Sequence, residues 1–302
     1  MKPAVSVLIA TRNRGDMLHR LLRTLDSAQA ASSVATQILI ADNASTDDTP
    51  AHLAAWVRAG SGRECIVVDG VGKSRALNRL LPLARAPLLA FTDDDVEVAA
   101  DWFDAIVAFF AAYGHFDAVM GRVLGPPGTD AELLARAAYY ETVPLFDAGD
   151  AVCEQPRLYG CNMVVRRHVF ERLGGFNERL GPGASGLQDD DELAERILLA
   201  DMRIGYTPYI RAYHVVESNR LTPAYYRLHQ LRLARGHFVR GALRPLHRTL
   251  GRLVDSSLAL AWYRLRGGDP RRWLRAWGRV IRHRETVRLQ WEHRTRRHHT
   301  AP

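Results

Sequence analysis

The sequence predicts an α/β protein with a mostly parallel, doubly wound sheet flanked by helices. First, short apolar runs such as residues 5–10 and 88–91 are typical of buried strands in parallel sheets. Second, segments with apolar residues at helical spacing follow these runs, which is the order of right-handed strand–helix–strand crossovers. Third, polar clusters at 11–14, 42–48 and 93–95 follow three of the runs, at the strand ends where such sheets bind ligands.

Predicted strands and helices alternate along the first part of the chain. Strands are predicted at 5–10, 37–41, 65–68, 88–91 and 160–165. Helices are predicted around 17–25, 53–57, 76–81, 101–113 and 130–140, then from an acidic start at 188–192, and again from about residue 220 onwards. The glycine-rich stretch at 174–186 is predicted to be a loop.

Composition excludes several classes of protein. The 302 residues are 47% apolar and 25% charged, so the chain is neither disordered nor collagen-like. Its three cysteines form no CxxC pair, which argues against a zinc ribbon and against a disulfide scaffold. The apolar start lacks a cleavage site, and no stretch reaches the ~18 apolar residues of a membrane span. We therefore expect a cytoplasmic protein.

Charge is distributed unevenly along the chain. Residues 1–219 contain 21 Lys and Arg against 29 Asp and Glu, a balance of −8, whereas residues 220–302 contain 20 Arg against four acids, a balance of +16. This asymmetry predicts an acidic body at 1–219 and a basic helical extension at 220–302. Such an extension is expected to bind a polyanion, which is either a membrane surface or a nucleic acid. The alternative is a solvated helical tail with a composition biased towards arginine.

Two common phosphate-binding motifs are missing from the sequence. The Gly-Lys-Ser at 72–74 is similar to the end of a P-loop, but the motif needs a glycine where Val67 stands. No GxGxxG follows the first strand, so a nicotinamide or flavin dinucleotide fold is not indicated. The first strand ends instead in Thr-Arg-Asn-Arg at 11–14, which can hold an anionic ligand or form surface ion pairs.

Carboxylates cluster at two places. The three aspartates at 93–95 follow a predicted strand and offer the hard oxygen ligands that Mg²⁺ and Mn²⁺ prefer, although acidic turns are also common. The three aspartates at 189–191 begin a helix, where carboxylates stabilise the positive end of the helix dipole. His214 follows a later strand, and a lone histidine is more often structural than a ligand.

Taken in order, these segments resemble the family 2 glycosyltransferases, inverting enzymes of the GT-A fold. The similarity lies in 5–14, 40–49, 72–78, 91–95, 174–178 and 188–193, together with Arg196 and the Tyr-His pair at 213–214. It implies a GT-A catalytic domain at 1–219, with a nucleotide-sugar half at 1–125 and an acceptor half at 126–219. It also implies a hexosyltransferase activity with Mg²⁺ or Mn²⁺ as the cofactor.

The resemblance implies roles for individual residues as well. Those implied in nucleotide-sugar binding are Thr11, Arg12, Asn13, Arg14, Asp42, Lys73, Arg75, Asn78, Asp93 and Asp94. Asp93 and Asp95 match the DxD motif, so Asp95 is implied as a metal ligand, with Asp93 and His214 as further ligands. Gly160, Asn162 and Met163 are implied beside the donor sugar and the acceptor.

The chain departs from the family at the catalytic carboxylate. The family usually has Glu-Asp-x-Asp-Leu before an arginine, and matching Leu193 and Arg196 to this pattern puts Asp190 at the position of the base. Asp189 then replaces the usual glutamate, so negative charge is kept. We expect Asp190, with Asp189 as its neighbour, to take the proton of the attacking hydroxyl. We also expect the glycine-rich loop at 181–186 to close over the donor.

The predicted reaction moves a sugar from a nucleoside diphosphate, UDP in the first instance, to a hydroxyl of a saccharide, glycolipid or small molecule. A sugar nucleotidyltransferase also combines an α/β sheet with a metal, but it would need glycines after the first strand. A nucleic-acid-binding protein would use the arginine-rich region, but the sequence shows neither a recognised module nor an aromatic platform. No nucleic-acid partner is therefore expected.

The basic extension also contains apolar residues among its arginines. Those between 273 and 281 follow helical spacing, at 273, 274, 277, 280 and 281. Arginine and tryptophan on such a helix suit the interface of an anionic membrane, so we expect peripheral contact with its inner face. The alternative is that this stripe packs against the catalytic domain or a second subunit.

Overall fold

The computed structural model describes residues 2–241, 245–267 and 269–299, so parts of the predicted extension (242–244, 268 and 300–302) lie outside the described residues. The strands are β1 (Val5–Thr11), β2 (Thr36–Asp42), β3 (Arg63–Val67), β4 (Leu88–Thr92), β5 (Val96–Val98), β6 (Ala118–Leu124), β7 (Cys153–Glu154), β8 (Asn162–Arg166) and β9 (Ile204–His214). The helices are α1 (Gly15–Ala31), α2 (Thr49–Arg58), α3 (Lys73–Leu80), α4 (Trp102–Ala112), α5 (Ala131–Tyr140), α6 (Arg167–Leu173), α7 (Asp189–Leu199), α8 (Pro223–Val239), α9 (Leu246–Arg266) and α10 (Pro270–His299).

Four strands in one half of the sheet run in the same direction. β1 pairs in parallel with β2 and with β4, and β2 pairs in parallel with β3. In this register Thr11 lies opposite Asp42, and Asp42 lies opposite Val67. The carboxyl ends of these strands therefore meet at one edge of the sheet, together with the polar clusters that follow β1, β2 and β4.

The other half of the sheet contains antiparallel pairs. The strand order is β3-β2-β1-β4-β8-β6-β9-β5, with β7 beside β9. β8 runs antiparallel to β4 and to β6, whereas β6 and β9 are parallel to each other. β5 runs antiparallel to β9 and pairs Val96 with His214, which brings His214 next to Asp95. The predicted α/β class with helices on a largely parallel sheet is confirmed, and β5, β7 and β8 run antiparallel to the strands that they pair with.

The sheet has an apolar layer on each face, because successive side chains of a strand point to opposite sides. Val7, Ile9 and Ile40 face one layer, which contains side chains of α1, α2 and α4. Leu8 and Leu39 face the other layer, which contains side chains of α3, α6 and α7. Strands buried on both faces form a rigid base for the loops at their carboxyl ends.

Contacts within the chain divide it into two compact units. The first contains the residues up to Thr129, Pro144–Ala184 and Asp189–Val216. The second contains Asp130–Val143, Ser185–Gln188 and the residues from Glu217 onwards. The first unit holds the whole sheet, and the second is helical, as expected for the region after residue 220. The predicted divisions at 125 and 219 stay predictions.

In the helical unit, α10 packs along both α8 and α9. Leu274 and Ile281 on α10 are buried, and the Trp277 ring stacks on Tyr226 of α8 with 5.7 Å between ring centroids. The Tyr226 hydroxyl donates a hydrogen bond to the Leu274 carbonyl at 3.0 Å. Part of the stripe at 273–281 is therefore buried within the helical unit, as the packing alternative expects, and Trp277 contacts α8. The expected peripheral contact with a membrane stays a prediction.

The length and apolar character of a helix decide whether it can cross a bilayer. Among the described residues, no helix combines the length and the apolar character needed to cross a membrane.

Candidate active site

The loops after β1 and β2 are joined by hydrogen bonds. Asn13 has a left-handed backbone with φ of 50°, which asparagine tolerates better than most residues. Its side-chain oxygen accepts a hydrogen bond from the Thr46 N–H at 2.8 Å, and its own N–H donates to the Ser45 hydroxyl at 3.0 Å. The buried Asp42 accepts from the Ser45 N–H at 3.1 Å. These contacts hold Asn13 and Asp42, both predicted nucleotide-binding residues, together at the carboxyl edge of the parallel strands.

Asn43 is a candidate residue that the sequence analysis did not identify. It is buried, its N–H donates to the Thr11 carbonyl at 2.8 Å, and its side-chain oxygen has no hydrogen-bond partner among the described residues. A buried amide oxygen without a donor is unfavourable unless a ligand supplies one. The polar run at 42–48 was the available signal, but a sequence does not show which members of a polar run are buried.

Thr11 connects β1 to the aspartates that follow β4. Its hydroxyl donates to an Asp94 carboxylate oxygen at 2.8 Å. Burial raises the pKa of Asp94 to about 7, and the charge of Asp95 acts in the same direction. Since Thr11 is itself buried, its side chain positions Asp94.

Asp95 and His214 form the part of the site that suits a divalent cation. Both are buried, and Asp95 Oδ1 lies 3.3 Å from His214 Nε2. His214 Nδ1 lies 2.9 Å from the Val215 carbonyl oxygen, which can only accept a hydrogen bond. The carbonyl therefore accepts a proton carried by Nδ1, and in that tautomer Nε2 is the ring nitrogen that would bind a cation next to Asp95. Arg14 approaches the other Asp95 oxygen at 4.0 Å.

This pair fits a metal that is shared with a ligand. Across the residues that the structure describes, no group of three His, Cys, Asp or Glu side chains is arranged to hold a metal by itself. Mg²⁺ and Mn²⁺ commonly take one or two protein ligands and fill their other positions with water and phosphate oxygens. One buried carboxylate and one oriented imidazole nitrogen meet that requirement.

Lys73, the first residue of α3, lies among carboxylates. Its ammonium group forms an ion pair with Asp93. Burial opposes the charged form, but attraction by Asp93, Asp189 and Asp190 outweighs burial and raises the pKa of Lys73. Lys73 is therefore a permanent cation beside Asp93, the first aspartate of the predicted DxD motif.

Asp190 lies in the first turn of α7, and its two carboxylate oxygens are held by backbone N–H groups. One oxygen accepts from Gly160 at 2.9 Å, and the other accepts from Asp191 at 2.9 Å. Burial raises the pKa of Asp190 to about 7, and the charges of Asp189 and Asp191 act in the same direction. Burial also raises the pKa of Asp189. A fixed carboxylate whose pKa lies near neutrality is suited to accept a proton.

Gly160 lies between the base candidate and the lysine. A Cβ at this position would be 3.1 Å from Lys73 Nζ and 3.8 Å from Asp190 Oδ2. Gly160 is thus the member of the predicted sugar-side group that the structure brings to the site, and its backbone N–H orients Asp190.

Asn162 and Met163, also predicted beside the sugar, are inside the fold. The Asn162 amide donates to the carbonyls of Arg122 at 3.0 Å and Ile210 at 2.9 Å. Its oxygen accepts from the Trp102 indole at 3.0 Å. Asn162 thus joins neighbouring strands, and the buried Met163 packs in the core; the predicted place of both residues beside the sugar stays a prediction.

Asn78, predicted to line the donor site, holds the loop after α6. Its amide donates to the Phe176 carbonyl at 2.9 Å and to Glu178 at 3.0 Å, and its oxygen accepts from the Phe176 N–H at 2.8 Å. The Asn78 amide therefore stabilises this loop, and its predicted place in the donor site stays a prediction. Arg75 is half-buried and Arg12 is exposed, and both stay predicted donor-binding residues.

The glycine-rich loop is joined to the start of α3. The Lys73 N–H donates to the Pro182 carbonyl at 2.9 Å. Gly183 has φ of +88°, and a Cβ there would lie 2.9 Å from the backbone of Gly72. The structure thus shows residues 181–184 already in contact with α3, and the expected closure of this loop over a donor is not visible in it.

Comparison with known proteins identifies the family. The family model described as Glycosyl transferase family 2 matches residues 6–174, which is more than half of the chain. A Beta-monoglucosyldiacylglycerol synthase of Nostoc sp. is 32% identical over 210 residues, covering 65% of this chain and 42% of that protein. The O-antigen biosynthesis protein RfbC of Myxococcus xanthus is 26% identical over 237 residues, covering 74% of this chain and 18% of that protein. The chain therefore spans less than half the length of these curated relatives.

Solved structures agree on the fold. A mannosyltransferase from Pyrobaculum calidifontis, in complex with GDP-Man and Mn²⁺, aligns with a TM-score of 0.59 at 21% identity, over 96% of this chain and 87% of that one. GalNAc-T7 with UDP, GalNAc and Mn²⁺ aligns with a TM-score of 0.53 at 15% identity, over 71% of this chain and 44% of that one. The GT-A type fold is confirmed, and the chain belongs to glycosyltransferase family 2.

Proposed function

We propose that this chain transfers a sugar from a nucleoside-diphosphate sugar to a hydroxyl group with inversion at the anomeric carbon, and that Asp190 is the general base. The observation that carries the proposal is the setting of Asp190. Its carboxylate is fixed by the Gly160 N–H at 2.9 Å, and burial raises its pKa to about 7. A base with this pKa is deprotonated in part at neutral pH and still accepts a proton readily.

The proposed chemistry is one in-line displacement. The acceptor O–H bond breaks, its proton goes to the Asp190 carboxylate, and the acceptor oxygen bonds to the anomeric carbon. The bond from that carbon to the diphosphate oxygen breaks at the same time, and its electron pair leaves with the nucleoside diphosphate. Because the acceptor attacks the face opposite the leaving group, a single displacement inverts the configuration.

Asp95 and His214 would hold the divalent ion, and Asp93 is a further candidate ligand. When bound, the ion supplies positive charge that stabilises the diphosphate as it leaves. Lys73 and Arg14 are cationic groups of the chain itself, and they lie beside Asp93 and Asp95 respectively. Fixed positive charge near the leaving group stabilises the transition state without reorganisation.

The nucleotide is proposed to bind at the edge formed by Asn13, Asp42 and Asn43. The unpartnered amide oxygen of Asn43 suits an N–H of a nucleobase or a ribose hydroxyl. We take UDP as the first donor to test, and GDP as the competing one, because the two solved structures described above contain these nucleotides.

For the acceptor we propose a saccharide or glycolipid hydroxyl. The names of two relatives, a Beta-monoglucosyldiacylglycerol synthase and an O-antigen biosynthesis protein, support a product that is a glycolipid or a cell-surface saccharide. These relatives are longer than this chain, so their names guide the choice of acceptors to test.

A donor panel tests the function. UDP- and GDP-linked hexoses are incubated with the full chain and candidate acceptors, with Mn²⁺ or with EDTA, and nucleotide release is measured. We expect release from one donor class that is lost with EDTA. Failure of every donor to release nucleotide would contradict the proposed reaction.

Replacing a metal ligand tests the site within the same assay. Asp95→Asn should abolish transfer and weaken Mn²⁺-dependent donor binding in calorimetry, because it removes a carboxylate from the ion. The matched control is Asp104→Asn, since Asp104 is exposed on α4. Both variants should unfold thermally at temperatures close to wild type, and normal turnover by folded Asp95→Asn would overturn the metal assignment.

A further inference from the structure

One face of the α9 helix is packed against α10, and the opposite face is exposed. Its inner face packs on α10, where Ser256 is buried and its hydroxyl oxygen lies 3.1 Å from His283 Nδ1. Its outer face carries large apolar side chains that are exposed. They are Leu250 (42% exposed), Val254 (57%), Leu258 (65%), Trp262 (52%) and Leu265 (87%), and we call them the α9 stripe.

The α9 stripe is continuous along the helix. Its first four members recur every four residues and Leu265 follows three residues later, so all five lie on one side. At ~1.5 Å of rise per residue the stripe extends over about 23 Å. Continuous apolar surface of this kind is characteristic of a contact site, whereas single exposed leucines are common on any protein.

Positive charge surrounds the α9 stripe. The basic residues of the helix that flank it are exposed, and they are Arg248, Arg252, Arg264 and Arg266. Asp255 is the single acid in the α9 sequence. The Arg266 guanidinium lies 4.0 Å from the centre of the Trp262 ring, so the apolar and cationic groups are in contact with each other.

We propose that the α9 stripe docks on an anionic lipid surface. In such a contact the leucines and Trp262 enter the boundary between headgroups and acyl chains, while the arginines meet the lipid phosphates. Both features of the helix, the apolar stripe and its cationic rim, are satisfied by this one occupant. The region around it strengthens the attraction, since residues 220–302 carry a balance of +16.

Charge argues against the other occupants. A second copy of this chain would set one arginine-flanked stripe against another, with Asp255 as the only acid that each α9 could offer. A nucleic acid would satisfy the arginines, but it would leave five apolar side chains against a hydrated phosphate backbone. The lipid proposal does not rest on the proposed sugar transfer, because its test measures binding and not turnover.

The test is co-sedimentation of the full chain with vesicles. Phosphatidylcholine vesicles are compared with vesicles that also contain phosphatidylglycerol, at low and high salt. We expect binding to the anionic vesicles alone, with release at high salt. Brominated anionic lipid should quench part of the tryptophan fluorescence, and the quenched fraction should fall in Trp262→Phe, although the chain has six tryptophans.

Matched variants distinguish binding through the α9 stripe from non-specific adsorption through any exposed apolar side chain. The double change Leu258→Gln and Leu265→Gln should weaken vesicle binding by about tenfold or more, because it removes apolar groups that enter the lipid. The control is Leu199→Gln with Tyr209→Gln, which replaces side chains of the first unit that are 78% and 63% exposed and should leave binding unchanged. Asp255→Asn should strengthen binding, because it removes the acid of the helix.

Three results would overturn the proposal. Equal vesicle binding by wild type and by the folded stripe variant, checked by circular dichroism, would show that α9 is not the contact. Dimerisation in light scattering that the stripe variant abolishes, without vesicle binding, would assign the stripe to a second copy. Binding to RNA that needs the α9 arginines, again without vesicle binding, would assign the helix to nucleic acid.

Discussion

The two adjacent aspartates at the start of α7 have different surroundings. Asp190 accepts a hydrogen bond from Gly160, whereas Asp189 lies beside Gly181, where a Cβ would be 3.0 Å from the Asp189 carboxylate. If the family pattern is matched to the sequence one residue earlier, Asp189 takes the position of the base. The different contacts of the two aspartates therefore separate the two candidates. They favour Asp190 as the base.

Replacing Asp190 tests this assignment at the level of one side chain. Asp190→Asn should lower turnover by about 10²–10⁴-fold, because the amide cannot take the proton. Donor affinity should stay close to wild type, as measured by calorimetry. The adjacent variant Asp189→Asn is the control, and a crippled Asp189→Asn beside a nearly normal Asp190→Asn would show that the register is wrong.

The pH dependence of kcat/KM follows from the raised pKa. Asp190 works as a carboxylate, so activity is low below its pKa and rises with pH through about 7. An aspartate with an ordinary pKa would give a rise in kcat/KM at about pH 3.9, so the pH of the rise distinguishes it from Asp190.

Asp94 must be separated from Asp190 in this profile, because burial also raises the pKa of Asp94 to about 7. Asp94→Asn should keep the position of the rise even where it lowers the maximum. A rise that disappears in Asp94→Asn would contradict the assignment to Asp190.

At the scale of single residues, the sequence shows where acids cluster but not which groups surround an amide. Runs of aspartate at strand and helix ends are visible in the sequence, and the structure places them at one edge. Asn78 and Asn162 resemble ligand-binding residues in the sequence, yet both have protein partners for their amides. Asn43 is the reverse case, because its buried oxygen lacks a partner among the described residues. Only the three-dimensional neighbours of an amide distinguish these cases.

At the scale of elements, the contact between the glycine-rich loop and α3 can be tested at Gly183. Its φ is +88°, and an added Cβ would lie 2.9 Å from the backbone of Gly72. Gly183→Ala should therefore destabilise the fold by about 1–3 kcal/mol in urea unfolding, because neither backbone can yield easily. It should also raise the donor KM, since Gly72 precedes Lys73.

Gly128→Ala is the matched control for this variant. Gly128 has φ of +81°, but no heavy atom lies within 4 Å of an added Cβ. Both variants share the cost of a positive φ, so the difference between them reports the contacts with Gly72 and with Val71 Cγ1, which an added Cβ would approach to 2.7 Å. Equal losses of stability and equal donor KM values would show that these contacts do not matter.

Helical spacing indicates an apolar face but does not show what covers it. The sequence analysis found helical spacing at 273–281, and the structure packs that stripe against α8, where Tyr226 stacks on Trp277. The α9 stripe, by contrast, is exposed. The neighbour that covers a stripe is distant in sequence, so spacing alone does not decide which stripe is exposed.

At the scale of the whole molecule, strand–helix alternation predicts the parallel half of the sheet and the edge where ligands bind. It does not predict that β8 and β5 run antiparallel to their neighbours. The Asp95–His214 pair depends on this, because the register of β5 against β9 sets Val96 opposite His214. The aspartates at 93–95 are therefore visible in the sequence, whereas the closeness of His214 to Asp95 depends on topology, and the sequence analysis named His214 only from the family resemblance.

We propose that this chain inverts the anomeric carbon in a single displacement with Asp190 as the base. NMR of the first-formed product from an α-linked nucleotide sugar tests this, because the one-bond coupling between C1 and H1 reports the anomeric configuration. We expect a β-linked product. An α-linked first product would contradict the proposal, because retention requires a different mechanism from one attack assisted by one carboxylate.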